Sequence, residues 1–142
     1  MDYCSLGANH LKVSKLCLGT MTFGSQTDRN EAERIVSSAK DHGVNFIDTA
    51  DVYVQGESER IVGELIKPSR DWWVLATKAG QTLTDSPNHG GLSRKWLTKS
   101  LDESLSRLGT DYIDIFYLHR DYEPTSLVEA VTTMGDMIRS GM

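Results

Sequence analysis

Three side chains stand where a run of apolar residues stops and a fourth follows close behind one of them, and their types suit a proton transfer. Asp48 closes VNFID, Tyr53 follows five residues later, Lys78 closes WVLATK and His119 closes IFYLH. A phenol is a weak acid, with an unperturbed pKa of about 10. A tyrosine that gives up its proton near neutral pH therefore needs a neighbour that stabilises the phenolate. Lys78 has the charge to do so, and Asp48 the charge to hold Lys78 in place. His119 would then bind and orient a carbonyl oxygen beside Tyr53, leaving the carbon open to a hydride. No side chain is itself a hydride donor, so the hydride must come from a cofactor. Carbonyl reduction by a nicotinamide is the reading that uses all four residues.

The elements that must hold these groups follow from the pattern around them. Residues 3–6 and 11–14 flank Gly7-Ala8-Asn9 and read as a small antiparallel hairpin that would cap the main fold. Lys15 to Met21 reads as a first strand ending in Gly19-Thr20. A Gly- and Ser-containing loop leads to a helix from Asn30, its cap, to His42, with Gly43 ending it and Ala32, Ile35, Val36 and Ala39 inward. Val44 to Thr49 is the second strand. Glu57 to Lys67 is the second helix, with Ile61, Val62, Leu65 and Ile66 inward and Pro68 stopping it. Trp73 to Lys78, a long polar loop and a helix from Ser93 to Leu108 form the third unit. Tyr112 to His119 and a helix from Ser126 to Ser140 form the fourth.

Strands alternating with helices predict a parallel sheet. A barrel or an open doubly wound sheet would fit, and the polar residues favour the barrel. In a (β/α)8 barrel the chemistry gathers at the C-terminal ends of the strands, where Gly19-Thr20, Asp48, Lys78 and His119 stand. A dinucleotide-binding doubly wound sheet would want GxGxxG after its first strand, and GTMTFG does not supply it. The expected fold class is α/β, as an N-terminal hairpin plus the first four βα units of a (β/α)8 TIM barrel. A complete barrel takes about 250 residues, so residues 1–142 correspond to half of one, with exposed sheet edges and apolar flanks that favour self-association.

Composition excludes other classes. The chain has 142 residues, 39% of them hydrophobic and 25% charged, and a formal net charge of −5. No basic cluster offers a surface to nucleic acid or an anionic membrane. No apolar run approaches the roughly 20 residues of a membrane helix, and MDYCSLGANH lacks an apolar signal core. A cytoplasmic protein is expected. Cys4 and Cys17 have neither metal-ligand spacing nor a disulfide-rich context and read as reduced, half-buried thiols. His10, His42 and His89 lack ligand spacing, so no metal site is expected. Asp114 reads as structural, and Trp72 and Trp73 as packing.

FIDTADVY, LATK, YLH, the opening LGANHLKVSKLCLGTMTFG and the GLSRKWL before the third helix together resemble the aldo-keto reductase superfamily over nearly the whole chain. The resemblance implies a (β/α)8 barrel with an N-terminal hairpin and NADPH-dependent reduction of aldehydes and ketones. It also implies a catalytic tetrad of Asp48, Tyr53 as proton donor, Lys78 and His119. Cofactor contacts on the nicotinamide side would fall to Gly19, Thr20, Met21, Gln26 and Asp48. GESERIVG and the HRD after strand four are most similar to the branch of bacterial general reductases and potassium-channel β subunits. His119 leans towards the reductases, since channel-type relatives tend to carry Asn there. The residues that grip the adenosine phosphates in that family come from units five to eight, absent from these 142 residues. The alternative reading is therefore a non-catalytic, cofactor- or partner-binding β-subunit-like barrel fragment.

Overall fold

The structure, a computed structural model, describes residues 1–8, 10–82, 84–121 and 127–141. Two strands, β1 (Tyr3–Leu6) and β2 (Leu11–Ser14), pair antiparallel. The hairpin sits under one end of the main sheet. Tyr3 Oη donates to the Gly43 carbonyl at 2.7 Å, the Ser14 amide donates to Asn45 Oδ1 at 2.7 Å, and Asn45 Nδ2 returns a bond to the Lys12 carbonyl at 3.0 Å. Asn45 enters the next strand at its N-terminal end, so the hairpin caps the end opposite Asp48.

Strands β3 (Cys17–Gly19), β4 (Phe46–Asp48), β5 (Val74–Ala79) and β6 (Ile115–Leu118) form one parallel sheet in that order. Helices α1 (Arg29–Asp41), α2 (Glu57–Ile66), α3 (Arg94–Leu108) and α4 (Leu127–Ser140) alternate with them. The register aligns Gly19 with Asp48, Asp48 with Ala76, and Lys78 with Tyr117. Alternate residues therefore sort onto two faces. Leu18, Ile47, Leu75, Phe116 and Leu118 meet the helices in one hydrophobic cluster with Val36, Val62, Leu97, Leu101 and Ala130. The opposite face carries Cys17, Gly19, Asp48, Lys78 and Tyr117, and Tyr117 is 39% exposed.

The hairpin strands fall where expected and β5 is displaced by one residue, while β3, β4 and β6 are shorter than the sequence suggests and two helix ends differ for identifiable reasons. Asp28, not Asn30, caps α1: its extended backbone lets its carboxylate accept from the Glu31 amide at 2.9 Å, while Asn30 lies inside the helix. Gly43 ends that helix at φ 82°, with its amide bonded to the Lys40 carbonyl. Helix α2 stops at Ile66, and Pro68 belongs to a 3-10 segment, Lys67–Trp72, that follows it. Ser93 caps α3 as expected, accepting from the Trp96 amide. The expected start of α4 at Ser126 lies outside the described residues.

The two cysteines are exposed rather than half-buried. Cys4 is on a hairpin strand whose residues are all exposed, and Cys17 is on the face that no helix covers. Asp114 is structural: its Oδ2 accepts from Arg70 Nη2 at 2.8 Å and from the Leu75 amide at 2.9 Å. Trp73 is buried, while Trp72 is 40% exposed and donates to the Val44 carbonyl. Among the described residues, no helix is long and apolar enough to cross a membrane and no group of three or more His, Cys, Asp or Glu could hold a metal ion.

Candidate active site

Asp48 is the last residue of β4, Lys78 the penultimate residue of β5, and His119 the first beyond β6, where its amide donates to the Ala79 carbonyl at 2.8 Å. Parallel pairing puts all three at one end of the sheet. Tyr53 arrives from a tight turn. Its amide donates to the Ala50 carbonyl at 3.1 Å, and the Asp51 amide donates to the Lys78 carbonyl at 3.1 Å, which hangs the turn on β5. Tyr53 then opens a 3-10 segment, Tyr53–Gly56, in which Val54 (φ 49°), Gln55 (φ 56°) and Gly56 (φ 87°) are successively left-handed. Left-handed geometry costs roughly 1–2 kcal/mol per residue with a side chain, so surrounding contacts must hold this segment.

The ammonium of Lys78 organises the site. Nζ donates to Asp48 Oδ2 at 2.6 Å, to the Thr49 carbonyl at 2.7 Å and to Tyr53 Oη at 3.1 Å. An ammonium has three N–H bonds, and these are its three acceptors. Lys78 and Asp48 retain 16% and 23% side-chain exposure, so the pair is shielded but reachable from the uncovered face. The His119 ring stands edge-on to the Tyr53 ring, with centroids 5.9 Å apart at 86°. Burial first, and the Lys78 charge second, push the His119 pKa below its ordinary value against the opposing pull of Asp48. The imidazole is therefore neutral at neutral pH.

A buried hydroxyl network ties the ends of β3 and β4 to α2. Thr20 Oγ1 donates to the Asp48 carbonyl at 3.0 Å, Ser58 Oγ donates to the Thr20 carbonyl at 2.8 Å, and Thr49 Oγ1 lies 3.0 Å from Ser58 Oγ. Thr20 is fully buried, so its side chain serves this network. The other residues named for the cofactor face outward: Met21 is 64% exposed, Gln26 is exposed, and nothing lies within 4 Å of where a Gly19 Cβ would sit.

Behind the Tyr53 turn is a second polar cluster that sequence reasoning missed. Glu59 is fully buried; its Oε1 accepts from Thr77 Oγ1 at 2.6 Å and its Oε2 from Arg107 Nε at 2.6 Å. Arg107 lies across Gly56, where an added Cβ would come within 2.7 Å of its Cδ. Asp51 is 2% exposed, and neither carboxylate oxygen has a partner of good geometry among the described residues. Burial first, and Glu59 second, push its pKa up to about 7 against Arg107 and the Val52 N–H. A signal existed for Glu59. It lies three and seven residues before Val62 and Ile66, on the inward stripe of α2.

Comparison with known proteins agrees with this architecture. The model of the Aldo/keto reductase family matches residues 15–142. The chain belongs to that family. It is 41% identical over 145 residues to a probable voltage-gated potassium channel subunit beta of Arabidopsis thaliana, covering 99% of this chain and 44% of that one. It is 39% identical over 153 residues to the uncharacterized oxidoreductase YrpG of Bacillus subtilis, covering 99% of this chain and 47% of YrpG. Among solved structures, the holo form of aldo-keto reductase AKR11C1 from Bacillus halodurans superposes with a TM-score of 0.90 at 34% identity, over 99% of this chain and 47% of that one. The hairpin and four βα units are thus part of an aldo-keto reductase (β/α)8 barrel. The chain spans less than half the length of each of these relatives.

Proposed function

We propose that this chain carries the proton-donating half of an NADPH-dependent aldo-keto reductase that reduces aldehyde and ketone carbonyls to alcohols. The observation that carries the reading is the single ammonium of Lys78 bonded at once to Asp48, Thr49 and Tyr53. A neutral His119 donates a hydrogen bond to the substrate oxygen and orients it beside Tyr53. A nicotinamide, held beside Gly19, Met21 and Gln26, would supply the hydride that the carbonyl carbon accepts. As negative charge grows on the oxygen, Tyr53 gives up its proton and Lys78 holds the phenolate, itself held by Asp48. Tyr53 then regains a proton from solvent.

The residues fit the nicotinamide end of such a cofactor. Gly19 pairs with Asp48 and leaves the surface beside it open, and Met21 and Gln26, in the loop that follows β3, are exposed. Thr20 supports the site from behind through the Asp48 carbonyl. The remainder of the cofactor and substrate walls would come from four further units, in this polypeptide or in a second copy. The preference for NADPH rests on family likeness.

Titrating NADPH by its fluorescence, with the mass in solution recorded on the same sample, tests the reading. Saturable binding together with carbonyl reduction abolished by Tyr53→Phe supports it; undiminished turnover by Tyr53→Phe removes Tyr53 from its role. A second reading, a cofactor- or partner-binding β-subunit-like protein without turnover, is favoured by the likeness to probable channel β subunits. Binding without turnover by the unmodified protein would select it.

A further inference from the structure

The carboxylate of Asp51 takes no part in the chemistry described, yet it occupies a costly position. A buried carboxylate without hydrogen bonds is strongly disfavoured as an ion. Asp51 comes close to that state: among the described residues neither oxygen has a partner of good geometry and the Val52 N–H is the one donor that acts on them, two residues before Tyr53 in a turn attached to β5 through the Asp51 amide. The charged groups that act on it are Glu59 from α2 and Arg107 and Glu103 from α3. Arg107 is already committed, since its Nε bonds Glu59 and its side chain packs over Gly56. Gly56 is thereby covered from behind, and three carboxylates, Asp51, Glu59 and Glu103, stand around one guanidinium. Beside the turn an open cleft of about 510 Å³ is lined by Asp51, Gln55, Gln81, Thr82, Thr84 and Arg107. It offers water, the polar side chains of Gln55, Gln81, Thr82 and Thr84, and the Arg107 guanidinium to a carboxylate that swings outward.

We propose that Asp51 is a positioning residue for Tyr53: neutral, it stays tucked beside Glu59 and Arg107 and holds the phenol on Lys78; ionised, it turns into the cleft and draws the 51–56 turn with it. The site then contains a proton-operated alignment device. Because alignment matters only if Tyr53 is the proton donor, this inference rests on the function proposed above.

The test is an NMR titration of the full chain, following the Asp51 side-chain carboxyl carbon and the amides of Tyr53, Gln55 and Gly56, with Asp51→Asn alongside. The expected result is an Asp51 midpoint near the value of about 7 that its burial dictates. The three amides should move with the same midpoint, and their shifts should be absent in Asp51→Asn between about pH 6.5 and 8.5, above the range in which the neighbouring His119 titrates. An Asp51 midpoint in the ordinary carboxylate range overturns the proposal, and so does an Asp51 that titrates high while the three amides stay still. Both outcomes are read from the unmodified protein, so they stand even if the variant does not fold. The titration needs no turnover, so its failure is distinguishable from a failure of the Tyr53→Phe assay. In an active sample, carbonyl reduction should decline through the same midpoint as pH rises and lose that limb in Asp51→Asn, which a merely structural aspartate would not cause.

Discussion

Lys78 is the residue whose loss should separate chemistry from binding. Replacing it with Met removes the charge that the structure puts on the Tyr53 oxygen. The phenolate then forms without help, and the general-acid contribution, typically about 10²–10⁴-fold, should largely disappear from kcat. The same change leaves Asp48 without its ion-pair partner. An unmatched, part-buried carboxylate costs about 1–3 kcal/mol, so the variant should also melt earlier. Single-turnover reduction and a thermal melt on the same sample separate the two effects. His119 gives a second expectation at this scale. Its pKa is lowered, chiefly by burial, so any acid limb of activity due to its protonation should lie below its ordinary 6.5. A pH–rate profile of His119→Gln, which keeps a donor but does not titrate, should lack that limb. These residues are legible in the sequence because each closes an apolar run, and parallel pairing brings run ends together whatever the connecting loops do. Thr20 is not, because a hydroxyl at a strand end reads equally as ligand contact or internal network. Only the positions of Ser58 and Thr49 decide which.

At the scale of elements, the contact between α2 and α3 depends on one missing methyl. Gly63 lies inside α2, where glycine ordinarily costs roughly 0.5–1 kcal/mol relative to alanine. Here an added Cβ would sit 2.7 Å from the Leu108 Cα and closer still to its carbonyl, all backbone that cannot rotate aside. Gly63→Ala should therefore destabilise the fold despite its better helix propensity, by about 1–3 kcal/mol as overpacking does. Denaturant unfolding against wild type checks the sign. The same interface holds the Glu59–Arg107 pair, with Glu59 fully buried and Arg107 13% exposed. Removing one partner of a buried pair leaves an uncompensated charge and costs about 3–5 kcal/mol. Arg107→Met should lose stability on that scale, whereas the double variant Glu59→Gln with Arg107→Met should recover part of it. Helices and strands are legible because their apolar periods differ, 3.6 against continuous burial, and glycines such as Gly43 mark where one ends. The capping by Asp28 is available too, in the Asp28–Glu31 spacing of a capping box. The Tyr53–Gly56 segment is not, because left-handed geometry at Val54 and Gln55 goes against their own preferences.

For the whole molecule, Asp51 makes stability depend on pH in an unusual direction. Most carboxylates have depressed pKa values in folded proteins and lend stability that is lost as pH falls. Asp51 is raised from an ordinary 3.8 to about 7, so the folded state binds the proton more tightly than the unfolded one. Its contribution is fully present below the unfolded value of 3.8, falls as pH rises and is gone above about 7. Each pKa unit corresponds to about 1.4 kcal/mol, and the shift sets an upper bound of roughly 4 kcal/mol on the loss. His119 works oppositely, since its lowered pKa favours unfolding as pH falls through its ordinary value. The two can cancel in the native protein, so the informative comparison is with Asp51→Asn, which keeps shape and removes only the titration. At about pH 8.5 that variant should unfold several degrees above wild type, and the gap should close as pH falls below the unfolded value of 3.8, where Asp51 carries its proton in both states. A gap independent of pH would mean that the asparagine gains from packing or hydrogen bonding alone and that Asp51 is not the buried acid its surroundings describe. The exposed apolar residues of α4, including Val128 at 77% and Ile138 at 76%, require these melts at several concentrations. Association at that face would raise the melting point of both proteins together, whereas the Asp51 effect is confined to their difference.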